Sequence, residues 1–388
     1  APHRQRPAGA DGRAGGLPRA HPGGASPHRA GHRGPPGHGR AGSHAPPPHP
    51  VARPLPAPAH RAQGMRILLT HSPEARRLYY GERALAGLQA LADVRLHEGA
   101  ESLQGQALLE AARDCELIVS YRQSAAPSAL FEALPGLVAF LRCAIDIRNV
   151  DVAAASRAGV LVTQASAGFV TSVAEMVLGF MIDLARGITR STTLYRAGRV
   201  PAAALGRELK GATVGVIGYG AIGREVARLA AAFGMRVLVH DPYVKDVGGV
   251  PLARLLAEAD FVVPLATATT ETENVMGEAQ FAAMKPGAYF INVSRGNLVD
   301  EAALERALDS GRLGGCAMDV GRAPDQMPTP ALAAREDVLA TPHAAGLTQP
   351  AIEHQSLETV AQAAVILRGE VPRGAVNPGQ WTRRKGAK

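Results

Sequence analysis

Residues Thr213-Val-Gly-Val-Ile-Gly-Tyr-Gly-Ala-Ile-Gly223 run straight on into Arg224-Glu-Val-Ala-Arg-Leu-Ala230. A short apolar run of strand type meets three glycines spaced G-x-G-x-x-G, and an amphipathic helix pattern follows at once. In that order each glycine has a physical task. Gly218 permits a tight turn, Gly220 lets backbone approach a pyrophosphate, and Gly223 lets the helix pack on the strand. The helix start, at Ala221 and Ile222, offers unpaired N–H groups and a positive dipole end to phosphate. A second strand-like run, Arg236–His240, ends in Asp241, 18 positions past the last glycine. A carboxylate there can accept both ribose hydroxyls and repels a 2′-phosphate, which favours NAD over NADP. The spacing therefore predicts a dinucleotide-binding α/β unit.

Working outward, strand and helix patterns alternate. Ile67–Thr70, Leu117–Ser120, Val138–Arg142 and Val160–Thr163 read as strands. Glu82–Leu91, Ser128–Leu134 and Val152–Ala158 read as helices. A long helix is predicted from Ser172 to about Arg190, capped by Thr171 or Ser172 with Glu175 in its first turn. Phe261–Val263, Tyr289–Val293 and Gly315–Met318 continue the second set of strands, and an amphipathic helix over Gln349–Leu367 follows. Repeated βα units imply parallel sheets with helices on both faces, so two doubly wound α/β layers are expected.

Charge is unevenly spread. The whole chain carries a formal +8, but residues 1–64 hold nine Arg, no Lys and the single acid Asp11. The other residues carry 33 charges of each sign, so the basic balance is no argument for nucleic acid. Residues 1–64 also lack Ile, Phe, Tyr, Trp, Met and Cys; such a segment cannot offset chain entropy by burial, and a disordered tail is expected. It has neither the apolar core of a signal peptide nor the pattern of a transit helix. Met65 is the first methionine, and the reading is that the native protein starts there, which N-terminal sequencing would check. Cys115, Cys143 and Cys316 are too far apart for a disulfide framework or a zinc motif, and no metal site is expected. The longest apolar stretch, near Val173–Leu184, is interrupted by Glu175 and Asp183 and is too short to span a bilayer. These features predict a soluble, cytoplasmic protein.

Three further segments carry chemistry. Ile291-Asn-Val-Ser-Arg-Gly-Asn-Leu-Val-Asp300 places Arg295 beyond a strand's C-terminal end, where open α/β sheets bind ligands, and arginine suits bidentate capture of a carboxylate. Gly315–Val320 places Asp319 beyond the next strand. Ala340-Thr-Pro-His-Ala-Ala-Gly346 places His343 on a loop fixed by Pro342, suited to proton transfer near neutral pH.

With these in place, residues 65–377 resemble the NAD-dependent D-isomer-specific 2-hydroxyacid dehydrogenases, which include phosphoglycerate, glycerate and D-lactate dehydrogenases. The resemblance rests on Val173-Ala-Glu175, Leu209-Lys-Gly211, the glycine fingerprint, Met284-Lys-Pro-Gly287, Asn292–Asp300 and Thr341-Pro-His343. It implies two Rossmann-like domains: a discontinuous substrate domain (65–164 and 343–377) around an inserted NAD-binding domain (165–342), then a tail over 378–388. It implies hydride transfer between NAD(H) and a small D-2-hydroxy or 2-keto acid, 3-phosphoglycerate-like acids among them, and a homodimer formed through the nucleotide domain. Met176, Leu178, Phe180 and Met181 on the long helix look too numerous for one buried stripe, in keeping with a dimer face.

Residue by residue, the resemblance implies that Arg295 clamps the substrate and that His343 exchanges a proton with its C2 oxygen. Gly218, Gly220, Ala221, Ile222, Gly223 and Asp241 would hold the adenosine and pyrophosphate. Thr269, Val293, Arg295 and His343 would line the rest of the NAD groove, and Asp319 would hold the nicotinamide carboxamide. Arg122, Ile145, Asp146 and Arg148 would meet the substrate alongside Arg295.

Two departures stand out. The family places Glu five positions after the Asp of its Asp-Val pair, beside the catalytic His; here that position is Pro324. Asp325, the only acid between Asp319 and Glu336, is expected to take the role, with Gln326 a weaker candidate. The family's Gly-x-Gly-x-Asp-Asn corresponds to Ala144-Ile-Asp-Ile-Arg-Asn149, with Asp146 and Arg148 in place of Gly and Asp. Those two side chains either point to solvent or pair with each other, or they remodel the substrate pocket. The competing functional class is a nucleotide-sensing protein on the same fold, like the family's corepressors.

Overall fold

The computed structural model describes residues 64–245 and 248–384, apart from the side chain of Asp325. The expectations for the N-terminal tail and for a start at Met65 concern residues 1–63, outside the described residues.

Two parallel sheets organise the chain. The first is built from β1 (Arg66–Leu69), β2 (Asp93–Leu96), β3 (Leu117–Ser120), β4 (Ala139–Arg142) and β5 (Leu161–Gln164), in the order β2-β1-β3-β4-β5. The second is built from β6 (Thr213–Ile217), β7 (Arg236–His240), β8 (Phe261–Pro264), β9 (Ala288–Asn292), β10 (Leu313–Met318) and β11 (Val338–Ala340), in the order β11-β10-β9-β8-β6-β7. Each order reverses once, between β1 and β3 and between β6 and β8. Ligands of open α/β sheets bind beyond the strand ends at such switch points. β3, β4, β6 and β8 are buried at every position, as strands covered by helices on both faces must be.

The helix Val170–Arg186 is shorter than expected. Gly187 adopts a left-handed conformation (φ 62°) and ends it, and a separate helix, Ile188–Arg196, follows. Thr171 and Ser172 are not caps; they lie in the first turn, and Phe169 holds the cap position. Leu178, Phe180 and Met181 are buried within this chain, with Met176 packed beside them. The helix packs on both the second sheet and the helix Ala221–Ala232, which uses up more than one apolar stripe. Exposed apolar surface sits instead on the next segment: Ile188, Tyr195, Val200 and Leu205.

The helix Gln349–Leu367 packs on the first sheet, and its buried positions include Ser356, Thr359 and Gln362, so a simple amphipathic description does not hold. Each polar group is bonded: Thr359 to Tyr80 (2.9 Å), and Gln362 to Thr163 (2.7 Å) and the Gln164 carbonyl (2.9 Å). The expected tail from 378 is corrected as well. Trp381 is buried against the first sheet with its indole N–H on the Val138 carbonyl (3.1 Å), and Arg383 donates to Leu134 and Leu137. Upstream, the Val376 N–H bonds Val162, covering the β5 edge.

Candidate active site

At the end of β6 the backbone turns through Gly218 (φ 97°), where a Cβ would lie 2.5 Å from the Ala266 nitrogen; at Gly223 it would lie 2.2 Å from the Gly218 oxygen. Neither position admits a side chain. At Gly220 a Cβ would meet nothing within 4 Å, so the space beside the start of the helix Ala221–Ala232 is open. Among the described residues no side chain caps that helix, so its first N–H groups are open to an anion. Asp241 stands at the end of β7, accepting from the Tyr219 N–H (2.7 Å) and the Tyr243 N–H (2.9 Å). These bonds hold its carboxyl below the ordinary range. Thr269, exposed on the β8 loop, bonds Thr272 (2.8 Å), and Tyr243 Oη reaches Glu271 (2.9 Å) from the β7 loop. Turn, open groove and carboxylate fit a dinucleotide.

A cleft of about 530 Å³ opens between the two sheets. From the second sheet it is lined by Ile222, Val293, Arg295, Asp319 and His343; from the first it is lined by Arg122, Ile145, Asp146 and Arg148. Gly218, Gly220, Ala221, Gly223, Asp241 and Thr269 do not line it and lie at the second sheet's C-terminal edge and its first helix. The Asp325 carboxylate lies outside the described residues; its backbone belongs to the 3₁₀ turn Pro324–Gln326, whose Gln326 lines the cleft. Among the described residues no cluster of three or more His, Cys, Asp or Glu suits a metal.

His343 is held in a left-handed backbone conformation (φ 53°), uncommon for a residue with a side chain. Its N–H bonds the Asp319 carbonyl (2.9 Å). The fully buried Asp319 carboxylate accepts from Thr341 Oγ1 (2.6 Å), Ala344 N–H (2.8 Å) and Ala345 N–H (2.9 Å). Asp319 thus anchors the loop that presents His343, a task absent from the sequence reading.

Arg295 follows β9, its loop tied by Asn292 donating to the Arg295 carbonyl (3.0 Å). Its guanidinium donates to Ser294 O (2.7 Å) and makes no ion pair among the described residues. Burial depresses its pKa; Asp146 opposes this, and Arg148 and Arg122 add to it. Asp146 and Arg148 pair with each other: Arg148 Nε reaches both carboxylate oxygens at 3.0 Å, Nη2 one at 2.5 Å, and the backbone N–H adds a bond at 3.0 Å. This holds the Asp146 carboxyl down at about 2.

Sequence reading missed Arg142. It closes the apolar strand β4 with 0 % exposure and donates to the carbonyls of Tyr121 and Ser124 (3.1 Å to the latter) and to Asn149 Oδ1 (2.5 Å). Asn149 in turn donates to the Arg122 carbonyl (3.0 Å). One buried guanidinium therefore ties together the two loops that carry Arg122, Asp146 and Arg148. Burial pushes it down to about 10. The available signal was a charged residue ending a strand otherwise wholly apolar.

Residues 178–345 match the model of the D-isomer specific 2-hydroxyacid dehydrogenase NAD binding domain. The chain is 31% identical over 308 residues to a glyoxylate reductase of Korarchaeum cryptofilum, covering 76% of this chain and 93% of that one. It is 33% identical over 299 residues to a D-3-phosphoglycerate dehydrogenase of Methanocaldococcus jannaschii, covering 75% of this chain but only 57% of that protein's length. Among solved structures, D-lactate dehydrogenase from Escherichia coli superposes with a TM-score of 0.71 at 27% identity, over 80% of this chain and all of that one.

Proposed function

The chain belongs to the D-isomer specific 2-hydroxyacid dehydrogenases, and on that premise we propose that it interconverts a small 2-keto acid and its D-2-hydroxy acid with NAD(H). The observation that carries this reading is the shared cleft, where Arg295 and His343 face the loops of the first sheet. The substrate half comprises 65–164 and 343–377, extended to 384 by the packing of Trp381 and Arg383 on the first sheet, and the NAD half 165–342. Arg295 clamps the carboxylate and orients the C2 carbonyl. His343, as imidazolium, gives its proton to the C2 oxygen; when bound, NADH supplies the hydride to C2. Retention of both side chains in one cleft supports catalysis over the sensing alternative. Absorbance of the nicotinamide band with a panel of 2-keto acids tests it: no oxidation of NADH with any of them refutes the proposal.

Asp241 sets the cofactor preference. Asp241→Ala is expected to narrow the NAD:NADP ratio of kcat/KM by about tenfold or more, since ribose bonds are lost and repulsion of a 2′-phosphate is relieved. Equal turnover of NADP by the unmodified protein contradicts the assignment.

Asp325 is assigned as the partner of His343, in support of which its turn adjoins the cleft. A carboxylate partner raises an imidazole's pKa, and the proton donor is present below that pKa and lost above it. Asp325→Asn should therefore lower the pH at which reduction fails, with a rate loss smaller than that from removing His343. An unmoved pH–rate profile excludes the pairing.

A homodimer through the NAD half is supported by four exposed large apolar side chains in one segment of it, Ile188, Tyr195 (62 % exposed), Val200 (84 % exposed) and Leu205. Light scattering at micromolar concentration should give twice the chain mass; a monomer refutes it. No described helix is long and apolar enough to cross a membrane. The three buried free thiols support a reducing cytoplasm as the location.

A further inference from the structure

We propose that Gln326 is a nicotinamide anchor: its side-chain amide pairs with the carboxamide of the bound cofactor and fixes the attitude of the ring. This rests on the dehydrogenase reading above and adds a positioning residue to it.

Two unusual features meet at this residue. Gln326 holds a left-handed backbone conformation (φ 60°), shared among the described non-glycine residues only by Asn274 and His343. Asparagine enters that region readily; glutamine has no such allowance. The Gln326 Oε1 is also buried, and among the described residues no donor reaches it. An amide oxygen closed off from water without a donor is costly, and so is the backbone strain. Both costs fall on a side chain that lines the cleft. The turn that carries it is firmly held. The Gly321 N–H donates to the Gln326 carbonyl (2.8 Å), and the Gln326 N–H to the Ala323 carbonyl (2.9 Å). Arg322 ties the turn to its surroundings, through its N–H to Glu301 (2.9 Å), Nε to the Val299 carbonyl (3.1 Å) and Nη2 to Asn274 Oδ1 (2.5 Å). A Cβ on Gly296 would lie 2.2 Å from the Gly321 oxygen, so the turn is seated directly on the residue after Arg295. A strained conformation persists where its surroundings over-determine it, and here they deliver one amide to one place.

The chemistry of the cleft selects the amide's partner. An amide oxygen needs an N–H or O–H donor. A 2-keto acid presents only acceptors at C1 and C2, and Arg295 and His343 answer those. The donor that hydride transfer brings to the second-sheet wall is the nicotinamide carboxamide. Asp319, the residue the family resemblance assigns to it, is largely engaged within its own loop. It accepts from Thr341, Ala344 and Ala345, which leaves about one of a carboxylate's four lone-pair sites. Gln326 offers both halves of an amide pair: Oε1 to accept the carboxamide N–H, and Nε2 to donate to its oxygen. Rotation about the last side-chain bond, which has broad minima, brings either end to the cleft. Two bonds to one planar group fix its rotation, and with it the ring face turned towards C2 of the substrate.

Calorimetric titration of the full chain compares NADH with reduced 3-acetylpyridine adenine dinucleotide, in which a methyl ketone replaces the carboxamide. The unmodified protein should bind NADH about tenfold more tightly, and Gln326→Gly should cut that ratio about fivefold, the scale of one or two neutral hydrogen bonds. Glycine also relieves the left-handed backbone, so the same variant's thermal unfolding midpoint should rise by about 1–3 °C. Gln326→Asn tolerates the conformation with an amide one carbon shorter; it should keep the stability gain and part of the discrimination. With any 2-keto acid that the chain reduces, the variants should lose more kcat with NADH than with the analogue. An undiminished binding ratio in both variants overturns the anchor. A lowered unfolding midpoint in both does so too, because the conformation is then not strained. A displaced pH–rate profile with the binding ratio unchanged puts the amide on His343 and likewise overturns it. A narrowed binding ratio with no reduction of any 2-keto acid leaves the anchor standing and overturns the dehydrogenase reading.

Discussion

Alanine in place of His343 is expected to lower kcat for keto-acid reduction by about 10²–10⁴-fold, the usual span for a positioned acid or base. NADH binding should change little, as read by quenching of the single tryptophan or by nicotinamide fluorescence. The reasons are geometric. His343 faces the cleft from a loop whose backbone is fixed by Asp319 through bonds that do not involve the imidazole. Removing the ring therefore leaves Asp319, Ala344 and Ala345 in place, and the glycine turn lies outside the cleft. A kcat within a few-fold of the unmodified protein would mean that another group delivers the proton.

Arg295→Met should cost kcat/KM for the keto acid about 10²–10³-fold, corresponding to the ~2–5 kcal/mol lost when one partner of a buried charge pair is truncated. Both kcat and KM should suffer, because the guanidinium holds the substrate and sets the attitude of its C2 carbonyl. Methionine keeps the volume, and among the described residues the Arg295 side chain bonds only Ser294, so the fold should survive. Thermal unfolding within a few degrees of the parent, together with that kinetic loss, separates a substrate contact from a packing role. Undiminished kcat/KM in a folded variant rules the clamp out.

Where local spacing decides structure, the sequence was easily read. The strand, turn, helix and acid around Gly218–Asp241 stand where expected, and the helices Glu82–Leu91 and Gln349–Leu367 keep their expected bounds. Elements with little apolar periodicity were not read. The helix Pro73–Tyr79 has one buried residue, and the edge strand Asp93–Leu96 has none. Ser72 before Pro73, which does cap that helix, was the overlooked cue. The break at Gly187 needs a φ that a run of helix formers does not announce. At the site, the loop after β9 and the loop fixed by Pro342 pointed to Arg295 and His343, but contacts between distant loops are a matter of three dimensions. That Asp146 pairs with Arg148, two residues on, was among the alternatives the sequence left open; that Arg142 reaches Tyr121, Ser124 and Asn149 depends on how two distant loops fold over one strand end.

The chain passes between the sheets twice, after β5 and again before the helix Gln349–Leu367. Ser172 Oγ and Thr348 Oγ1 join those passages at 2.7 Å, and Ser166 binds Glu358 (2.7 Å) and His354 (2.8 Å) close by. The second sheet is thus a loop of chain whose entry and exit are side by side, like the two leaves of one door hinge. A segment closed in this way can swing without shearing either neighbour. It can also be gained or lost as a unit, because its removal leaves two ends that a short linker bridges.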